Sequence, residues 1–211
     1  GNSREHRLTP WSNDPVGDPA GEALYVRDDD SGLLFGPTAL PVRKASGDYL
    51  ARHGRGYSRF EHTRADIALD LLQFVPGDEP VKVSRLRIRN LSGRTRHLTL
   101  TAYVEWVLGT SRSSTAPFVA TEIDPVTGGM LARNLWGGTE TRVAFTDLGG
   151  LQTAWTGNRM EFIGRNGTLE RPAALATGAK LSGRTGAGLD PCGALQTSVV
   201  LAAHSAVDIV W

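Results

Sequence analysis

A single cysteine, Cys192, occurs in the 211 residues, so no disulfide can form within the chain. No charged start followed by an apolar stretch marks a secretory signal, and a reducing compartment is the expectation. Cys192 itself is read as a small buried hydrophobe and not as a nucleophile. No apolar run approaches the roughly 18 residues of a membrane span, so a soluble chain without membrane insertion is expected. Neither sign of charge dominates: 23 Lys plus Arg stand against 22 Asp plus Glu, which leaves no net field to gather nucleic acid. His6, His62, His97 and His204 are scattered without the spacing of metal ligands, and neither a metal nor a cofactor is expected. The chain also lacks an initiator Met and stops inside the strand-like run Ala206–Val210; it reads as a piece of something larger.

What is present is period-two alternation. From His97 to Leu108, the residues Leu98, Leu100, Ala102, Val104, Trp106 and Leu108 alternate with Thr99, Thr101, Tyr103 and Glu105, the pattern of a strand with one buried face. Val81–Arg89 sets Leu86 and Ile88 between Arg85, Arg87 and Arg89, and the turn-like run Asn90–Gly93 predicts that the two segments form a long hairpin. Ile67, Leu69 and Leu71 alternate as well; Leu72, Phe74 and Val75 then break the rhythm, which predicts a β-bulge. Phe118–Ile123 and Met130–Asn134 read as another hairpin. Arg142–Phe145, Leu151–Trp155, Met160–Ile163 and Thr197–Ala203 complete at least ten expected strands. No amphipathic stretch is long enough to read as a helix. With 25 Gly and 11 Pro as turn punctuation, the expected class is all-β, two packed antiparallel sheets in one domain over residues 1–211. Two irregular stretches, 1–19 and 165–191, read as surface loops that serve a site or meet a neighbour.

The candidate chemistry is sparse. Asp28-Asp29-Asp30-Ser31-Gly32 opens like a calcium loop, but no Glu follows to close it, and a hairpin turn accounts for the carboxylates. His53-Gly54-Arg55-Gly56-Tyr57 is a basic, Gly-containing loop with the means to hold a phosphate. No helix follows to add its dipole, and a bend between strands is the reading taken. Among the aromatics, Trp106 falls on the apolar face of its strand and reads as core. Trp11 sits in a polar loop with Arg4, Arg7, Ser12, Asn13 and Asp14, where a large ring has little reason to be unless a sugar or another domain covers it.

The run Asn2-Ser3-Arg4-Glu5-His6-Arg7-Leu8-Thr9-Pro10-Trp11-Ser12-Asn13-Asp14-Pro15-Val16 resembles the start of the β-sandwich domain that precedes the phosphorylase-like region of bacterial cyclic β-1,2-glucan synthases. Tyr25–Gly32, Arg52–Phe60, Ala102–Leu108, Glu161–Gly167 and Gly188–Cys192 resemble the same family in order. Leu34-Phe35-Gly36 departs from it where a Trp-Ser-like pair is expected. The resemblance implies an antiparallel β-supersandwich of the galactose-mutarotase-like kind, as found ahead of the helical barrel in glycoside hydrolase family 94 phosphorylases. In that family the acid is an Asp of the barrel and the phosphate site lies there too, so no catalytic residue carries over to this chain. The implied parent is a glycosyltransferase of the bacterial inner membrane that uses UDP-glucose, with this domain on the cytoplasmic side. The implied partners are the helical-barrel catalytic domain of the same polypeptide, and β-1,2-glucan. Arg4, Arg7, Trp11, Asn13 and Asp14, together with His53, Arg55 and Tyr57, are the residues expected to face barrel or sugar. Two other readings stay open: aldose mutarotase activity from His53 with Glu61 or Glu105, and a purely structural role in a homodimer.

Overall fold

The computed structural model describes residues 2, 6–14, 16–18, 20–43, 47–136 and 142–211. Its strands are β1 (Glu22–Asp28), β2 (Leu34–Phe35), β3 (Tyr49–Gly54), β4 (Tyr57–Arg64), β5 (Ile67–Phe74), β6 (Val83–Asn90), β7 (Arg96–Glu105), β8 (Val119–Ile123), β9 (Met130–Asn134), β10 (Ala144–Thr146), β11 (Ala154–Asn158), β12 (Pro191–Leu201) and β13 (Ala206–Val210). Three short helices accompany them: α1 (Arg112–Thr115), α2 (Arg159–Ile163) and α3 (Ala173–Ala176). The sheets run β11-β12-β7-β1-β2, β10-β9-β8 and β13-β6-β5-β4-β3, and the expected all-β class holds. The chain forms two compact units, Gly1–Ala23 with Thr101–Thr197 and Leu24–Leu100 with Ser198–Trp211; the division falls within β1, β7 and β12.

In the second unit β3 to β6 form a meander, with β13 antiparallel on β6. The alternation read from β6 is the one observed: Leu86 and Ile88 are buried, while Arg85, Arg87 and Arg89 are exposed. The expected bulge in β5 is absent, since its register against β4 and β6 is unbroken from Ile67 to Phe74. Leu72 belongs to the outer face, opposite Arg59 on one side and Arg85 on the other, where the aliphatic stems of those arginines can shield it.

The expected hairpin between β6 and β7 is also absent, because the two strands belong to different sheets. Asn90 turns the chain out of its sheet. Its amide nitrogen donates to the carbonyls of Arg94 at 2.7 Å and Ala202 at 2.9 Å, and its oxygen accepts from the Ser92 N–H at 3.0 Å. Such a hub satisfies the backbone groups of an arch that has no ladder. The β1–β2 turn at Asp28–Gly32 is as expected, with Val26 opposite Phe35. Asp28, however, is not a solvated turn residue: it is buried against Arg96 at 2.7 Å.

β7 follows the half-buried pattern only over Arg96–Leu100, before it enters the first unit. Thr101, Tyr103 and Glu105, read as the outward row, are all buried. Over Tyr103 and Glu105 lies Met160–Ile163, read as a strand but folded within helix α2. The Asn158 side chain accepts from the Met160 N–H and caps the helix, Gly164 ends it at φ +91°, and Phe162 is left stacked on Tyr103 at 4.8 Å. β8 and β9 form the expected hairpin, paired from Val119 opposite Asn134 to Ile123 opposite Met130. Trp106 is 2 % exposed, as its place in the alternation implied.

Candidate functional site

The N-terminal loop is held by backbone and side-chain bonds. Arg7 and Gly109 exchange N–H···O bonds of 2.8 and 3.0 Å. The Asn2 side-chain oxygen accepts from the N–H groups of Leu8 and Thr9, at 2.7 and 3.0 Å. These anchors bring Arg7 and Trp11 together: the guanidinium carbon lies 5.5 Å from the indole centroid, within cation–π range. Trp11 is 36 % exposed, and among the described residues the Arg7 side chain forms no ion pair. Next along the chain, Asp14 closes an Asx turn by accepting from the Val16 N–H at 2.9 Å, and the Ser12 N–H donates to Asp18 at 2.7 Å. Asn13 and Asp14 are exposed. Arg4 lies outside the described residues.

His53, Arg55 and Tyr57 belong to the other unit, at the tip of the β3–β4 hairpin. Gly54 pairs with Tyr57 across the two-residue turn Arg55–Gly56, with Gly56 at φ +78°, so the bend reading holds. The Tyr57 ring lies against Gly54, where a Cβ would stand 2.2 Å from it. His53 Nδ1 is 2.9 Å from Ser58 Oγ, and the imidazole meets Phe60 edge-on at 5.9 Å. His53 and Glu61 do not form the acid–base pair needed for mutarotation. His53 shares its face with Ser58, whereas Glu61 shares the opposite face with Arg59 and pairs with Arg52. Glu105 belongs to the first unit and is occupied there.

That occupation is the largest feature the sequence reading missed. Buried Glu105 binds the Nε groups of Arg159 at 2.8 Å and Arg112 at 3.2 Å, and both arginines also reach Asp190. The Tyr103 hydroxyl donates to Glu105 at 3.3 Å. The network closes on itself, each carboxylate shared between two guanidinium groups, and it fastens α1, α2 and the start of β12 to the end of β7. Its members are far apart in sequence, which gave periodicity nothing to detect. Glu161 fastens the neighbouring loop, accepting from Thr156, from the Ser182 N–H and from the Ser182 hydroxyl. Burial raises its carboxyl pKa, but these hydrogen bonds outweigh that effect and leave it below the ordinary value. Cys192 is fully buried, as its sequence reading had it. Desolvation, with Asp190 and Glu105 nearby, pushes its thiol well above the usual range, so it stays protonated and inert. Among the described residues no group of three or more His, Cys, Asp or Glu could hold a metal ion. No helix there is long and apolar enough to cross a membrane.

The family model described as glycosyl hydrolase 94, supersandwich domain, matches residues 1–211. The chain is 41% identical to the cyclic beta-(1,2)-glucan synthase NdvB of Rhizobium meliloti (strain 1021) over 203 residues, which are 96% of this chain and 7% of that protein. It is 28% identical to an N,N'-diacetylchitobiose phosphorylase of Vibrio furnissii over 203 residues, 93% of this chain and 25% of the relative. Over 85 residues it is 32% identical to the solabiose phosphorylase of Paenibacillus borealis, 40% of this chain and 11% of that one. The chain thus spans a quarter or less of the length of each of these relatives.

Proposed function

We propose, from the premise that the chain belongs to the glycosyl hydrolase 94 supersandwich family, that it is a non-catalytic module bracing the helical catalytic region of a cyclic β-1,2-glucan synthase-like enzyme. The observation that carries this reading is Arg7 over Trp11. A half-exposed indole, roofed by a guanidinium and fixed by the Asn2 bonds, is an ordered anchor in want of a partner surface, and Trp and Arg are the residues that carry binding energy at interfaces. Arg7 meets a carboxylate of the barrel, Trp11 fills an apolar recess beside it, and the Asx turn at Asp14 presents Asn13 at the rim. The tip residues His53, Arg55 and Tyr57 form a second contact region. In this reading the acid and the phosphate-binding groups belong to the barrel, and the module serves it on the cytoplasmic side of the inner membrane.

The test is association in trans between the chain and the separately produced helical region, measured by calorimetry. Trp11→Ala and Arg7→Ala are each expected to weaken binding by roughly tenfold or more, with the melting temperature of the chain unchanged. Affinity unaltered in both variants would overturn the bracing role of this loop.

A further inference from the structure

The formal charge of the whole chain is +1, yet the fold segregates charge in a way that the composition hides. On the sheet β13-β6-β5-β4-β3 the buried row Leu69, Leu71, Leu86, Ile88 and Ile209 marks one face. The register places Arg52, Arg59, Arg85, Arg87 and Arg89 on the other, together with Glu61, Asp70 and Asp208. Within these strands five arginines thus share the outer face with three carboxylates. Arg52 and Arg59 pair with Glu61, Arg59 also pairs with Asp70, and Arg87 pairs with Asp208 at 3.7 Å. Arg85 and Arg89 are exposed, and among the described residues they form no ion pair.

Arg85, Arg87 and Arg89 occupy alternate positions of β6, so their Cα atoms stand roughly 7 Å apart in a row. Apolar side chains surround the Arg85 end of that row. Leu72 and Val210 flank Arg85 across the sheet, and Val83 precedes it opposite Phe74. Phe74 and Val210 are exposed, and Leu72 and Val83 are half-buried. A guanidinium set among apolar side chains, with its stem laid along them, is an amphipathic arrangement: the charge meets a polar layer while the apolar atoms reach just beneath it. The charges also lie in a line, whereas capture of a single carboxylate or phosphate needs donors that converge on one point. A fluid layer of anionic headgroups meets every member of a line at once and requires no matching shape.

We infer that this outer face is a peripheral docking surface for a bilayer rich in anionic phospholipid. Arg85 and Arg89 supply the uncompensated charge, and Leu72, Phe74, Val83 and Val210 rest at the headgroup boundary. No segment inserts; the contact is superficial, electrostatic and reversible, and it holds the module flat against the membrane. The inference goes beyond the bracing role and uses none of its residues. Only the supply of a cytoplasmic membrane surface rests on the reading that the module serves an inner-membrane synthase.

The test is co-sedimentation of the 211-residue chain with vesicles of mixed phosphatidylglycerol and phosphatidylcholine, against vesicles of phosphatidylcholine alone. Binding is expected to the first only, and it should fall as salt is added, because screening shortens the reach of the charges. The double variant Arg85→Gln with Arg89→Gln is expected to lower the partition coefficient roughly tenfold or more at an unchanged melting temperature, while Arg85→Lys with Arg89→Lys keeps it. A lack of binding to phosphatidylglycerol vesicles at low salt would overturn the surface. So would equal binding to phosphatidylcholine, or full binding by the glutamine variant. Binding to soluble polyglutamate in place of vesicles would assign the face to an acidic protein segment and remove the membrane as its occupant. Phe74→Ala is expected to weaken binding to a smaller degree at every salt concentration, and unaltered affinity would overturn the apolar share of the contact. Because the bracing role is measured by association with the helical region in the absence of lipid, failure of either proposal leaves the other legible.

Discussion

In the unit Leu24–Leu100 with Ser198–Trp211, successive strands β3 to β6 pair with their sequence neighbours. In the unit Gly1–Ala23 with Thr101–Thr197, much of the chain is loop and short helix, held by side chains. The first arrangement satisfies its polar groups through ladders and a solvated outer face; Arg59, for instance, binds Asp70 through two bonds of 2.8 and 2.6 Å. The second satisfies them through the shared carboxylates of Glu105, Asp190 and Glu161. Each has one buried point where failure would be costly. In the ladder-built unit it is Arg96 with Asp28; in the side-chain-built unit it is the stack of Phe162 on Tyr103 beneath the charge network. Loops held by long-range side-chain bonds are free to present aromatics outward, and both Trp11 and Trp136 lie in that unit.

The largest expected effect falls on the side-chain-built unit. Phe162→Ala should cost about 3–5 kcal/mol, because it removes a fully buried ring that seats α2 and thereby Arg159; a fall in the denaturation midpoint that is no larger than for Met160→Ala would show that the helix does not seat the network. In the ladder-built unit Asp28→Ala should cost about 3 kcal/mol, because it leaves the Arg96 guanidinium buried with one carbonyl partner, that of Ala65 at 2.7 Å. Urea melts that place Asp28→Ala within error of the parent would reduce this pair to a passive turn contact.

Acid separates the two smaller terms. Burial lowers the His62 pKa, the Asp48 carbonyl opposes that shift and the Arg64 charge reinforces it, with a net depression. The imidazole lies stacked on Tyr49 at 3.8 Å, with its Nε2 buried and without a hydrogen-bond partner. A histidine neutral in the fold and titrating near pH 6.5 when unfolded contributes stability that is present above that value and lost as pH falls below it. For Asp28, burial raises the pKa, but the hydrogen bonds from Ser31 and Arg96 and the Arg96 charge bring it below the ordinary value. Its contribution is therefore full above the unfolded pKa near 3.9 and is lost only as pH falls further, through the folded value. Thermal melts should show a first loss of stability from about pH 6.5 downward, and His62→Gln should flatten it while leaving the loss at lower pH intact. A first loss that persists in His62→Gln would assign it elsewhere.

Where pairing is local and one face meets water, alternation was enough: β6, the β8–β9 hairpin, the β1–β2 turn and the core position of Trp106 were all legible. The errors fall where something covers a face that polarity marked as outward. Tyr103 and Glu105 alternate as part of a solvent row, but α2 meets them through Phe162 and Arg159, and the five-residue span of α2 is too short to show a helical period. Its caps, Asn158 before and Gly164 after, were the readable signal. The run Asn90–Gly93 has hairpin composition, yet what fixes it is an amide reaching the carbonyl of Ala202, over a hundred residues away in sequence. Of the site residues, the sequence singled out Trp11 by its polar company; Arg7 as its partner required the fold.

By itself the sequence determined the all-β class, the faces of the locally paired strands, the buried Cys192 and the resemblance of the whole chain to a glucan-synthase family. Period-two hydrophobicity and turn chemistry are local quantities, and long ordered runs carry a family likeness without coordinates. The tertiary structure decided which strands share a sheet, that Glu105 is locked between two arginines, and that Trp136 stacks on Phe118. Those outcomes depend on which distant segment covers or leaves bare a given face, and burial and ion pairing across such separations leave no period in the chain.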